Sequence, residues 1–168
     1  MSGPDQLYWD DVVEGAAIPP IVLNVSYEKV AMVSMATWDL FPGHNDPNYA
    51  AAQHQTTIYL NTIVLQGFAD RVLTDWAGHM TSVVRRKLNM TDSVYAGDTL
   101  IGKGRAERVY RDDDGRFKID VSISLTTQNG PVSAILSTAI LPRRPVDNVD
   151  TEIKRDRSSA TVGKLSAE

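Results

Sequence analysis

Residues 57–78 read TIYLNTIVLQGFADRVLTDWAG. Leu60, Val64, Phe68, Val72 and Trp76 recur at i, i+4 steps, flanked by Ile63, Leu65, Ala69 and Leu73. The stretch predicts a helix over 57–77 that is apolar on most of its circumference. Gln66, Asp70 and Thr74 hold only a narrow polar stripe. Thr56 or Thr57 can cap its start, and Gly78 can end it in the left-handed conformation beyond the C-cap. A helix this apolar has to be wrapped by other elements.

The C-terminal half of the chain supplies the wrapping. Residues 81–90, 98–109, 116–127 and 131–141 each carry β-branched alternation, clearest at Ile119, Val121, Ile123 and Leu125. Asp112-Asp113-Asp114-Gly115 and Gln128-Asn129-Gly130 are hairpin signals between the last three of them. Before the helix, Ile21, Leu23, Val25 and Tyr27 alternate as in a strand, after Pro19-Pro20. Val30, Val33 and Ala36 or Thr37 then share a face of a shorter helix that starts near Ser26 or Tyr27. Residues 38–47 are broken by Pro42-Gly43 and by Asn45-Asp46-Pro47, and 48–53 suits a short helical stretch. Strands grouped after a helix, not alternating with helices, argue an α+β fold. A long apolar helix followed by a four-strand antiparallel meander is the hot-dog arrangement, in which a sheet wraps the helix.

The chain has 168 residues, with 17 Lys+Arg, 21 Asp+Glu, 3 His and no Cys. That length suits one domain, and the folded unit is expected over 1–142. Residues 143–168 lack aromatic residues and mix charges of both signs, so a mobile tail is expected there. A net charge of −4 argues against a nucleic-acid binder, which usually carries a basic face. Without Cys there is no disulfide, thiolate nucleophile or thiolate metal site. No apolar run reaches the roughly 20 residues that span a bilayer, and Met1–Gln6 lacks a leader pattern. A soluble cytoplasmic location without membrane contact is the expectation.

Asp39 and His44 are the side chains that suit chemistry. They lie five apart in the loop broken by Pro42 and Gly43. A carboxylate and an imidazole converging on one water form an acid–base pair near neutral pH. The same residues can equally cap a turn and sit solvated in a loop. The start of the 57–77 helix is the second candidate, because its first N–H groups are unpaired and can face an oxyanion. Arg85-Arg86-Lys87 can contact a phosphate, as in the nucleotide end of coenzyme A, or form a solvated face. Strand alternation sends Arg85 and Lys87 to one face and Arg86 to the other. His54 and His79 have no partner at metal-ligand spacing, and no metal is expected. Asp70, Arg71 and Asp75 look like surface charges of the helix, Arg71 and Asp75 as an i, i+4 pair.

Several of these stretches resemble the MaoC-like (R)-specific enoyl-CoA hydratases, a hot-dog family. Trp9-Asp10-Asp11-Val12-Val13-Glu14-Gly15 looks like that family's start, and Asp39-Leu40-Phe41-Pro42-Gly43-His44 has its Asp-x4-His spacing. Ile58-Tyr59-Leu60-Asn61-Thr62 falls where the family opens its central helix, and Tyr95-Ala96-Gly97-Asp98-Thr99-Leu100 looks like the following strand start. The run Val72-Leu73-Thr74-Asp75-Trp76-Ala77-Gly78, with Ala52-Gln53, is similar to the small subunit of the heteromeric steroid side-chain hydratases of actinobacteria. The resemblance covers about residues 8–142. It implies that Asp39 and His44 are catalytic and that backbone N–H groups of Asn61 and Thr62 polarise a thioester carbonyl. The implied reaction is syn addition of water to a trans-2-enoyl-CoA, with coenzyme A as part of the substrate and no further cofactor. Here Thr37-Trp38 precede the Asp where many hydratases have Ser-Gly or Thr-Gly, and Leu60-Asn61-Thr62 stand where many have His-Gly-Met.

Hot-dog units normally pair, so one such unit calls for a second. The resemblance implies a MaoC-like partner in an α2β2 assembly, with a homodimer as the other arrangement. Two other functions fit the same fold: a non-catalytic subunit that supports a partner's acyl-CoA site, and an acyl-CoA thioesterase.

Overall fold

The long helix is shorter than its apolar pattern, and the difference matters for the site. In the computed structural model, which describes residues 6–145, α3 runs Thr62–Ala77. Its N-cap is Asn61, whose side-chain oxygen accepts from the Val64 N–H at 3.1 Å. Thr56 and Thr57 therefore do not cap it. Residues 58–61 are extended instead, after a bend at Thr56 and Thr57: Leu60 N–H bonds Val94 O, Ala96 N–H bonds Ile58 O, and Tyr59 bridges Tyr95. Ile58 and Leu60 are buried from this extended segment, so the apolar run includes two residues that reach the core without being helical. Gly78 does end the helix, with φ at +93°.

Five antiparallel strands form one sheet in the order β1-β3-β4-β5-β2: β1 Ala17–Asn24, β2 Ser82–Met90, β3 Thr99–Arg111, β4 Phe117–Thr127 and β5 Gly130–Ile140. The fold is α+β hot-dog. The four-strand meander is corrected to three strands, because β2 pairs with β5 at the far edge and not with β3. The reason lies in the link 91–98. It has no two-residue hairpin turn; it crosses under the start of α3, where Tyr95 meets Tyr59. β1 starts earlier than the alternation suggests and contains Pro19-Pro20, across a register shift between Ile18 and Ile21. Proline lacks the ladder N–H, and β1 is an edge strand where that loss is tolerated.

Leu65, Phe68, Ala69, Val72 and Leu73 of α3 are buried against Leu100 of β3 and Ile119, Val121, Ile123 and Leu125 of β4. Each large side chain here contributes about 2 kcal/mol of gross burial. Gly102 sets how close the helix comes: a Cβ there would lie 2.6 Å from Val72 Cγ2 and 2.9 Å from Phe68 Cε1. Two shorter helices complete the fold. α1 (Tyr27–Ala36) is capped by Ser26, and α2 (Pro47–Ala52) by Asp46, whose Oδ1 accepts from Asn48 and Tyr49 N–H. No helix among the described residues is long and apolar enough to cross a membrane.

The far end of the described chain is tied to its start. Arg143 donates to Asp10 Oδ1 at 2.5 Å from Nη2 and 2.9 Å from Nε, and Arg144 donates to both oxygens of Asp11 at 2.7 and 2.8 Å. These two residues begin the stretch read as a tail; residues 146–168 lie outside the described residues. The guanidiniums hold both carboxyls below the ordinary aspartate value of 3.8. A carboxyl lowered in the folded state stabilises it above its unfolded pKa, and that contribution disappears as pH falls through the folded value. An Asp10→Asn/Asp11→Asn variant should therefore melt below the unmodified chain at pH 7. The gap should close on acidification well below about pH 4 in thermal melts followed by circular dichroism.

Candidate active site

Asp39 is positioned by the way α1 ends. Trp38 N–H bonds Met35 O at 3.2 Å and Asp39 N–H bonds Ser34 O at 3.1 Å. This is the paired Schellman pattern, with Thr37 as C-cap, Trp38 at C′ and Asp39 at C″. Trp38 adopts φ +54°, the left-handed conformation that glycine usually supplies at C′. For a side chain this bulky the conformation costs about 1 kcal/mol. Ser34, 1% exposed, adds a second tie: its Oγ donates to Asp39 O at 2.5 Å. Asp39 is thereby held at both its N–H and its C=O by one buried serine that sequence periodicity does not single out.

His44 closes a single 3-10 turn, Pro42–His44. Its Nδ1 lies 2.7 Å from Tyr59 O. A backbone carbonyl can only accept, so Nδ1 carries the proton and the neutral ring keeps its lone pair on Nε2. Nε2 faces Asp39 Oδ2 at 3.4 Å. The His44 side chain is 8% exposed and that of Asp39 34%, so the pair sits at the rim of the protein, imidazole inward. The ring stands edge-on to Tyr59 at 5.1 Å and to Phe41 at 5.5 Å. Gly43 allows this packing, since a Cβ there would lie 2.6 Å from the Tyr59 hydroxyl and 2.7 Å from Phe41 Cε1. Burial raises the pKa of the Tyr59 phenol, which keeps it neutral beside the histidine.

The extended segment before α3 ties these parts together. Tyr59 N–H bonds Gly43 O while its carbonyl accepts the hydrogen bond from His44 Nδ1. Two residues on, Asn61, 3% exposed, accepts from Val64 N–H and donates from Nδ2 to Thr37 Oγ1 at 2.7 Å. Thr37 in turn donates to Val33 O at 2.8 Å. The start of α3 is thus hydrogen-bonded to the end of α1 next to Asp39 and to the turn that carries His44. Among the described residues, neither the Asn61 nor the Thr62 N–H donates to a protein acceptor. Both lie at the positive end of a 16-residue helix, where a developing negative charge is stabilised. Asp39 and His44 come together, and Asn61 is tied through Thr37 to the end of α1 that carries Asp39; Tyr59 and Leu60 have their amides occupied by Gly43 and Val94.

The basic run is divided. Arg86 turns inward and bonds Asp70 through two nitrogens and Gln66 Oε1 at 3.0 Å, so it braces β2 against α3. Asp70 is then a half-buried ion-pair partner, not a free surface charge. Arg85 and Lys87 point to the opposite sheet face, where Lys87, Lys103 and Arg105 line a groove of about 670 Å³. That face is separated from Asp39 and His44 by the sheet itself. A smaller apolar groove of about 310 Å³ runs on the helix side, along Leu23, Val33, Val64, Gly67 and Phe68. It begins one helical turn beyond Asn61. Arg71 and Asp75 form the expected i, i+4 pair at 2.9 Å, and His54 and His79 are exposed.

No family model matches the chain. Over 109 residues, 65% of this chain and 82% of the relative, the sequence is 29% identical to the 3-oxo-4,17-pregnadiene-20-carboxyl-CoA hydratase beta subunit of Mycobacterium tuberculosis. The ChsH1-ChsH2 complex from Mycobacterium tuberculosis contains a chain that matches with a TM-score of 0.72 at 25% identity, covering 77% of this chain and 98% of that one. A MaoC-like dehydratase from Rhodospirillum rubrum matches with a TM-score of 0.71 at 16% identity, covering 83% and 99%; this likeness is one of fold. The chain has the MaoC-like hot-dog fold, and its relative in sequence is a hydratase subunit.

Replacing Asn61 tests the tie between the two helices. Asn61→Ala removes both the cap and the bond to Thr37 and should lower stability by about 1–2 kcal/mol. Asn61→Ser keeps a capping oxygen without the reach to Thr37 and should cost less, as read from urea denaturation midpoints.

Proposed function

We propose that this chain carries the acid–base pair of an enoyl-CoA hydratase that adds water to a trans-2-enoyl thioester. The supporting observation is the approach of His44 Nε2 to Asp39 Oδ2 at 3.4 Å, in a loop that Thr37 and Asn61 tie to the unengaged N–H groups at the start of α3. A water oxygen about 2.8 Å from each of those two atoms closes a triangle with them. Nε2 takes a proton from that water as its oxygen bonds Cβ. The π electrons of the double bond move toward Cα and the thioester oxygen, and the Asn61 and Thr62 N–H groups stabilise the resulting enolate-like charge. The pair then returns the proton to Cα on the same face, so both side chains end as they began. Asp39, acceptor-only when ionised, orients the water and favours the transient imidazolium. The scheme calls for no metal and no cofactor beyond the coenzyme A of the substrate. Arg85 and Lys87 are assigned no part in it, because they face away from the pair, and Arg86 is engaged with Asp70.

The substrate we assign is a bulky, steroid-derived acyl-CoA, and the partner a second MaoC-like subunit. The first is supported by the named substrate of the Mycobacterium tuberculosis relative, the second by the two-component complex that matches in fold. Hydration is measured as loss of enoyl absorbance on a short-chain and a steroid-derived enoyl-CoA, with the chain alone and co-expressed with a MaoC-like partner. Asp39→Asn and His44→Ala should each lower kcat/KM by roughly 10²–10⁴-fold, with unchanged circular dichroism. Activity that survives both substitutions would assign the chemistry to the partner and leave this chain a supporting subunit. Release of free coenzyme A from saturated acyl-CoA would point to a thioesterase instead.

A further inference from the structure

Trp38 sits in the left-handed conformation at the C′ position of α1, φ +54°, where glycine is the ordinary choice. Local structure gains nothing from a large side chain there. The core gains nothing either, because Trp38 is 86% exposed, the most exposed large apolar side chain among the described residues. Its ring stacks on no other ring among the described residues. On either side, Met35 is 71% and Leu40 58% exposed. The next residue in the chain is Asp39, and adjacent Cα atoms are only about 3.8 Å apart. A strained backbone that carries an exposed indole beside a reactive carboxylate needs an apolar surface from outside this chain.

We infer that Trp38 is a specificity-determining residue: its indole forms a wall for the bulky acyl part of the thioester whose Cα and Cβ react at Asp39 and His44. This rests on the hydratase reading. A short enoyl group ends before it reaches the indole, while a polycyclic one extends over it, so the effect of Trp38 depends on substrate size. Met35 and Leu40 extend the same apolar margin.

The test compares Trp38→Gly and Trp38→Phe in the full chain, co-expressed with the MaoC-like partner. Thermal melts, kcat/KM on crotonyl-CoA and on a polycyclic enoyl-CoA, and assembly by analytical ultracentrifugation are measured for each. Trp38→Gly should melt roughly 2–5 °C higher, since glycine relieves the C′ conformation. Its kcat/KM on the polycyclic substrate relative to that on crotonyl-CoA should fall roughly tenfold or more, with Trp38→Phe in between. Equal loss on both substrates, or loss of assembly, would make Trp38 a subunit contact and overturn the inference. So would an unchanged polycyclic rate. If the unmodified complex is active and Asp39→Asn silences it, such a result sinks this inference alone. If the unmodified complex hydrates nothing, the hydratase reading fails and takes this inference with it.

Discussion

The helix α3 cannot be left uncovered, and most of the molecule is arranged around that constraint. Leu65, Phe68, Ala69, Val72 and Leu73 need an apolar surface, and the inner faces of β3 and β4 provide it. Gly102 lets the helix sit directly on the sheet. Once the helix axis is pinned there, its first turn has a fixed place in space. The extended residues 58–61 must reach that turn, and in doing so they pass over the 3-10 turn that holds His44. The position of Asp39 and His44 is therefore a consequence of helix burial, transmitted through three residues of backbone.

Hydrogen bonds then convert rough placement into geometry. Three backbone or side-chain ties matter: Ser34 to Asp39, Asn61 to Thr37, and His44 to Tyr59. The last is the most consequential chemically, because a carbonyl partner leaves only one tautomer of the neutral ring. With Nδ1 protonated, the lone pair has to face Asp39. Each of these partners is buried or half-buried, where a broken hydrogen bond is not readily replaced by water. That gives the loop 37–47 a defined shape even though Asp39 itself reaches solvent. Trp38 is the exception in this region: its backbone is strained and its side chain leaves the fold, which fits a residue whose use lies outside the chain.

Much of this was open to reading from the sequence, because the signals are local. A 3.6-residue apolar period marks α3, a two-residue period marks the strands, and Gly115 and Gly130 mark hairpins where positive φ is needed. The spacing of Asp39 and His44 across Pro42-Gly43 was visible too, as was the split of Arg85 and Lys87 from Arg86. Other features were not visible, and each has a non-local cause. Ile58 and Leu60 continue the apolar run of α3 yet belong to an extended segment, since pairing with Val94 and Ala96 outweighs one more helical turn. Asn61 caps the helix because Thr37, twenty-four residues away, takes its amide. Ser34 looks like an indifferent helix residue until the chain folds back onto it.

Amino-acid order alone determined the α+β class, the elements and their approximate limits, and the candidate pair, because periodicity and turn chemistry act between residues a few positions apart. Tertiary structure decided the neighbour of β2, the first residue of α3, the inward commitment of Arg86 to Asp70, and the free nitrogen of His44. Each of those depends on which distant group arrives within hydrogen-bonding reach, and that is set by how the helix and sheet bury one another.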